Sequence, residues 1–249
     1  ENDLVLNWER TRKGTDEITV LLEENLGIKN SSFLPSQNAL VPLIFFRTTK
    51  PSKLTEREVN SALLCLLLSS YWGRYSGSVE TTLDNDIKIV AESSSVEGIL
   101  NDIKQSIGRL KVGEIDFRGR GADTRMLLYV VCRDKGATDW WKGHRITTSD
   151  FQQHHIFPSS QLINKGLDFE LINDIANMAF LTETANRSIL DSKPEDYLPN
   201  IDQSRLQAQF VPLDKELWKL ENYPQFLSKR REIMVSGINR YLENLGLRD

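Results

Sequence analysis

Cysteine is scarce in this chain of 249 residues: there are two, Cys65 and Cys132, each inside an apolar run. That excludes a disulfide framework and predicts buried thiols in a reducing, cytoplasmic setting. Histidine is limited to His144, His154 and His155. With so few ligands and the cysteines far apart, a structural zinc site of paired cysteines cannot be spelled. Long apolar runs are missing. The longest, Ala62–Leu68 and Met126–Cys132, have seven residues each, against roughly 20 for a bilayer span. No membrane partner is therefore expected, and no secretory leader is visible at the start. Neither sign of charge dominates, with 31 Lys and Arg against 35 Asp and Glu and a net charge of −4. A general nucleic-acid coat would be basic, so any such contact must come from a local patch. A Walker-type glycine loop, an internal repeat and low-complexity tracts are also absent, which weighs against an ATPase. The first residue is Glu1 rather than Met, and the chain is read as a piece of a longer protein.

What is present is an ordinary globular composition, 39% hydrophobic, enough for one large core or two small ones. Residues 1 to about 30 read as a helix, with Ile18, Leu21, Leu22 and Leu26 on one face and Gly27 as its stop. Residues 30–53, with Pro35, Pro42 and Pro51 around Leu43–Phe46, read as a connector or a short buried segment. Thr55 and Glu58 spell a capping box ahead of the apolar run 62–68, which predicts a helix buried on all sides. Val79, Leu83, Ile87 and Val90 predict another helix. Ile99, Ile103, Ile107 and Leu110 predict a third, with Ser94 and Glu97 as a second capping box. Residues 125–132 fit helix or strand, with helix preferred. Pro224 opens and Gly246 closes a last helix whose face carries Leu227, Met234, Ile238, Tyr241 and Leu245. The fold class expected is mainly α, with one irregular region at about 148–200.

That region holds the candidate chemistry. It reads Phe151-Gln152-Gln153-His154-His155-Ile156-Phe157-Pro158, then Asn177-Met178-Ala179-Phe180-Leu181-Thr182, then Asn186-Arg187. In a strand, adjacent side chains point to opposite faces. One imidazole can then hold a metal while its neighbour faces a substrate. Pro158 suits the end of such a strand, Phe180 and Leu181 a short returning strand, and Thr182 or Thr184 the cap of a helix carrying Asn186. A histidine beside an apolar run is more often a satisfied core or surface residue than a ligand. It is the asparagines further on that separate the two readings here.

The segment His154-His155-Ile156-Phe157-Pro158 … Asn177 … Asn186-Arg187 resembles the HNH, or ββα-metal (His-Me finger), nuclease motif. Further stretches in the same order, Arg74-Tyr75-Ser76-Gly77-Ser78-Val79-Glu80-Thr81, Trp141-Lys142-Gly143 and Lys193-Pro194-Glu195-Asp196-Tyr197-Leu198, are similar to the C-terminal half of GmrSD-like bacterial restriction proteins. The likeness runs from about residue 35 to 200. It implies helical domains enclosing a small ββα-metal motif. Residues 1–147 would be a helical middle domain, 148–200 the nuclease motif, and 201–249 C-terminal helices packing on it. The motif implies His154 and Asn186 as metal ligands, His155 as general base and Asn177 as the supporting asparagine of the catalytic loop. Asn177 and Asn186 are nine positions apart, a spacing typical of the motif. The longer stretch before Asn177 is read as holding an inserted turn near Lys165-Gly166. In that family an N-terminal nucleotide-binding domain carries an Asp-Gly-Gln-Gln-Arg type motif, absent from this sequence. NTP hydrolysis and recognition of modified DNA are expected of a domain outside this stretch.

The resemblance implies a metal-dependent endonuclease or nickase acting on DNA in anti-phage restriction, with a divalent cation as cofactor. Mg or Mn is expected, with Ni, Co or Zn as other candidates on ligand softness. An imidazole near pKa ~6.5 is placed to take a proton from water at neutral pH. Double-stranded DNA would be held through its backbone by Arg187, Lys193, Arg145 and Lys142. The last two lie in segment 118–145, where Arg118, Arg120, Arg125, Arg133, Lys135, Lys142 and Arg145 face only Asp123, Asp134 and Asp139. Of Trp140 and Trp141 in that segment, at least one is expected in the core. His144 is expected at the surface, and Tyr197 as a packing anchor. The competing readings are a non-catalytic DNA-binding module of the same fold and an RNA-cleaving effector. The residues do not separate DNA from RNA.

Overall fold

A computed structural model of the chain describes residues 2–114, 122–148 and 151–248, without the side chains of Asn2, Ala122, Asp123 and Phe151. The described residues are mainly helical with one two-stranded sheet. The chain divides into two compact units, Glu1–Lys111 with Arg240–Asp249, and Val112–Asn239.

The first unit opens with α1 (Asn2–Leu26). Gly27, at φ +69, ends it, and Gly27 N and Ile28 N reach back to Glu23 O and Leu22 O, closing its last carbonyls. The expected face holds at Ile18, Leu22 and Leu26, all buried. Residues 30–53 contain a helix, α2 (Leu40–Thr48), which tolerates Pro42 because its missing N–H falls in the first turn. Gly14 lets the two helices approach, since a Cβ there would sit 3.1 Å from Thr48 Cγ2. The Thr55–Glu58 capping box forms as spelled and starts α3 (Glu56–Tyr71). Every residue of its run 62–68 is at most 4% exposed, so α3 is central to this core.

Next come α4 (Val79–Ser93) and α5 (Glu97–Ile107). The second capping box does not form. Ser94 adopts a left-handed conformation (φ 49) and closes α4 through its N–H to Val90 O, so it is not free to cap α5. Val96 is the N-cap there, and Ser95 Oγ accepts from Glu97 N instead. Ahead of α4, Arg74 grips the fully buried Asp86 through Nε (2.9 Å) and Nη2 (2.6 Å), while Tyr75 donates its hydroxyl to the same carboxylate.

The second unit begins with α6 (Ala122–Asp134). Its run 126–132 is buried throughout, and burial pushes the Cys132 thiol up to about 12. Then β1 (Phe151–His155) leads into two short helices, α7 (Ser159–Asn164) and α8 (Phe169–Ile172), before β2 (Met178–Thr182) returns antiparallel. The register pairs His154 with Ala179 and His155 with Met178. The expected turn at Lys165-Gly166 is present, between α7 and α8, so the insertion around it is helical on both sides. Following β2 are α9 (Glu183–Ile189), α10 (Pro194–Tyr197) and α11 (Gln203–Ala208). The last helix, α12 (Tyr223–Asn244), belongs to this unit up to Asn239.

Gln209 takes the place of a third strand, its amide accepting from Phe180 N and donating to Phe180 O. The fully buried Arg230 of α12 donates to Ala176 O and Gln209 O, and Phe157 stacks edge-on against Tyr223 and Phe226. These contacts tie α12 to the segments flanking the sheet.

The expected boundaries therefore shift. Residues 112–147 join the unit that contains the strands rather than a domain ending at 147, because the run 126–132 supplies core to that unit. The stretch 201–249 is shared, with 201–239 beside the strands and the end of α12 in the first unit.

Candidate active site

β1 ends in the two adjacent histidines, and the pleat sends them to opposite sides. His154 is buried at 4% exposure. Its cross-strand partner is Ala179, small enough to leave space over the sheet. Thr182 ends β2 and caps α9 through its hydroxyl, which accepts from Ala185 N; the cap is Thr182 rather than Thr184. Starting there, one turn of α9 brings Asn186 back over the sheet, with Asn186 Oδ1 2.8 Å from His154 Nδ1.

The start of α9 is strapped in place by Asp139. This carboxylate is 1% exposed. One oxygen accepts from Thr182 N and Thr182 Oγ1, the other from Trp141 N and Lys142 N. Composition alone counts Asp139 only as an acid against a basic patch. The signal that could have exposed it is local: an Asp whose side chain can meet the N–H groups two and three residues on. Trp140 is buried with its ring edge-on to His154 at 6.3 Å, whereas Trp141 is 52% exposed.

On the far side of the His154 ring lies Tyr197, which does pack in the core, at 7% exposure. It also makes a polar contact that sequence reasoning missed. Its hydroxyl donates to Ile156 O at 3.0 Å and lies 3.4 Å from His154 Nε2. Burial pushes His154 down to about 4, with the Asn186 hydrogen bond opposing and nearby His155 adding to the shift. The ring is therefore neutral at pH 7.

His155 is half-buried and faces the insertion, where Asn173 Oδ1 lies 3.1 Å from its Nε2. Asn173 is a second residue that spacing did not reveal. Asn177 is fully buried. Its Oδ1 accepts from Phe157 N, and its Nδ2 donates to Phe157 O and Ile172 O. It thereby staples the exit of β1 to the end of α8.

The expected phosphate contacts are at the surface. Arg187 pairs with Glu183 one turn back along α9 and is 76% exposed, and Lys193 lies 3.7 Å from Glu195. Lys142 and Arg145 are exposed. Arg205, not expected from sequence, donates to Trp140 O. Arg118 and Arg120 lie outside the described residues. His144 is exposed, as expected.

A divalent cation fits this arrangement on its donor chemistry. His154 Nδ1 and Asn186 Oδ1 are the two neutral atoms that would hold it, and they meet here in a hydrogen bond that Nδ1–H donates. Ligation through Nδ1 would require that hydrogen bond to break and the ring proton to sit on Nε2. Tyr197 can accept it there, since its own hydrogen goes to Ile156 O. Among the described residues no group of three His, Cys, Asp or Glu side chains is gathered. Among the same residues no helix is long and apolar enough to cross a membrane.

No family model matches the chain, and no solved structure matches it significantly. The chain is similar to the uncharacterized protein MJ0686 of Methanocaldococcus jannaschii, at 25% identity over 139 residues. That match covers 51% of this chain and 24% of the relative, so the chain spans about a quarter of that protein's length.

Proposed function

We propose that the chain is the nuclease portion of a restriction-type defence protein, a divalent-metal-dependent endonuclease or nickase of the ββα-metal (HNH) kind acting on DNA. The observation that carries this reading is the meeting of His154 Nδ1 and Asn186 Oδ1 at 2.8 Å, with His155 on the other side of the same strand end. Two residues 32 apart in the chain supply two neutral groups side by side.

In this reading His154 and Asn186 hold the cation, Mg or Mn in first place. When bound, the ion supplies charge stabilisation to the phosphate and the leaving oxygen. Both ligands are neutral, so the protein alone binds the ion weakly and DNA phosphates strengthen the site. His155 takes the proton from the attacking water. Asn177 does no chemistry but fixes the loop behind the histidines. Arg187, Lys193, Lys142 and Arg145 contact backbone phosphates. The exposed Arg187–Glu183 pair is weak in water, so Arg187 exchanges Glu183 for a phosphate at little cost. Nucleotide hydrolysis and recognition of modified DNA are assigned to a nucleotide-binding domain outside this stretch.

The test is supercoiled plasmid incubated with Mg, Mn or EDTA, beside His155→Ala and with RNA in parallel tubes. Nicked circles that need both the metal and His155 support the reading. Unchanged nicking by His155→Ala rejects the assigned base, and cleavage of RNA alone moves the substrate to RNA.

A further inference from the structure

We propose that Asn173 is a positioning residue that fixes the His155 imidazole as its Nε2–H tautomer, leaving Nδ1 as the atom that takes the proton. The inference rests on the reading of His155 as general base, and it names the atom and the group that prepares it.

The orientation of the Asn173 amide is settled by its far end. Asn173 Nδ2 donates to Phe169 O at 2.9 Å. Turning the amide over would set two acceptor oxygens against each other, so this bond decides which end is which. Asn173 Oδ1 therefore faces His155, 3.1 Å from Nε2. A carboxamide oxygen can only accept, so the hydrogen in that contact belongs to the ring. Nε2 carries it, and Nδ1 of the neutral ring keeps a lone pair.

Asn173 is itself exposed, so water competes for Nε2. What gives the amide an advantage is that it is held in place. Asn173 ends α8, and its backbone N–H also reaches Phe169 O, at 3.0 Å. The short helix is anchored on three sides. Tyr223 donates its hydroxyl to Leu171 O at 2.6 Å, Asn177 Nδ2 donates to Ile172 O at 3.0 Å, and Asp174 is ion-paired to Arg231. An acceptor fixed this way loses little freedom when it binds the ring, and the comparable partners that orient metal-bound histidines are worth about 10- to 100-fold. The insertion between β1 and β2 is thus more than a spacer, because it carries the acceptor to the base.

The experiment uses the whole chain, metal-free and with 15N-labelled histidine, followed by long-range proton–nitrogen correlation near neutral pH. Three histidines make assignment by single substitution practical. In the wild type, His155 is expected to show a protonated Nε2 and a bare Nδ1. Asn173→Leu and Asn173→Asp both remove the bond to Phe169 O, but only the Asp variant keeps an acceptor facing the ring. Asn173→Leu is expected to average the two nitrogens toward one another and lower the nicking kcat roughly 10- to 100-fold, with KM for DNA within about twofold. Asn173→Asp is expected to keep the wild-type tautomer and a kcat well above that of the Leu variant. A protonated Nδ1 in the wild type overturns the proposal, as does identical tautomer behaviour in the Leu and Asp variants. The spectra need no substrate. A locked tautomer in a protein that cuts nothing sinks the nuclease reading and leaves the lock standing; nicking with no dependence on Asn173 does the reverse.

Discussion

His154 is buried among Trp140, Tyr197 and Asn186, and its surroundings favour the neutral ring. That has a consequence for stability which can be signed. The folded-state value is about 4 against an ordinary 6.5. Above pH 6.5 the ring is neutral in both states and nothing changes. Between 6.5 and 4 the unfolded chain binds a proton that the folded one refuses, so stability falls as pH drops through that window. At about 1.4 kcal/mol per pH unit, the loss from pH 7 to pH 4 is on the order of 3 kcal/mol. Urea unfolding at the two pH values should show the wild type losing about that much more than His154→Gln, and equal losses would contradict the burial argument. The residues that could be read ahead were those with a chemical signature: the histidine pair, and the asparagines at their spacing. Asn173 and Tyr197 were not legible in their present roles, and of Asp139 only the local turn was, not its hold on Thr182. Each acts through a partner 18 to 43 positions away, and one sequence holds no record of which distant groups a fold brings together.

Among the elements, the segment from β1 to β2 depends most on a single side chain. Asn177 places all three of its side-chain hydrogen bonds on backbone groups in a fully buried setting. Asn177→Ala leaves Phe157 N, Phe157 O and Ile172 O to find other partners, and an unsatisfied buried group costs about 1–3 kcal/mol. We expect Asn177→Ala to lose about 2–4 kcal/mol of folding free energy in urea, and to bind DNA less tightly through displacement of the loop. A loss below about 0.5 kcal/mol would show that the staple is dispensable. The helices were largely legible, because 3.6-residue periodicity and the Thr55–Glu58 box are local signals. The second box failed for an equally local reason, since Ser94 was already committed to closing α4. The insertion was legible only as a turn: α7 and α8, with six and four residues, are too short to show a period.

At the scale of the whole molecule, the division at Lys111 and Val112 assigns 112–147 to the unit holding the histidines. A boundary at 147 follows naturally from where the motif starts, but the core is decided by burial, and the run 126–132 belongs to the strand-bearing unit. This predicts that residues 112–239 fail as an independent unit when cut at 148, and that the shorter piece shows lower helicity and non-cooperative melting by circular dichroism. A cooperative, fully helical 148–239 fragment would contradict it. The central claim for the molecule is that His154 and Asn186 hold one cation between them. It is tested most directly by titrating Mn2+ into the chain and following the free-ion electron paramagnetic resonance signal, with the same DNA duplex in every tube. His155→Ala serves as a cleavage-silent background. The account predicts one ion taken up per chain in that background, and at least tenfold weaker uptake when either His154→Ala or Asn186→Ala is added. Equal uptake in all three proteins would contradict it.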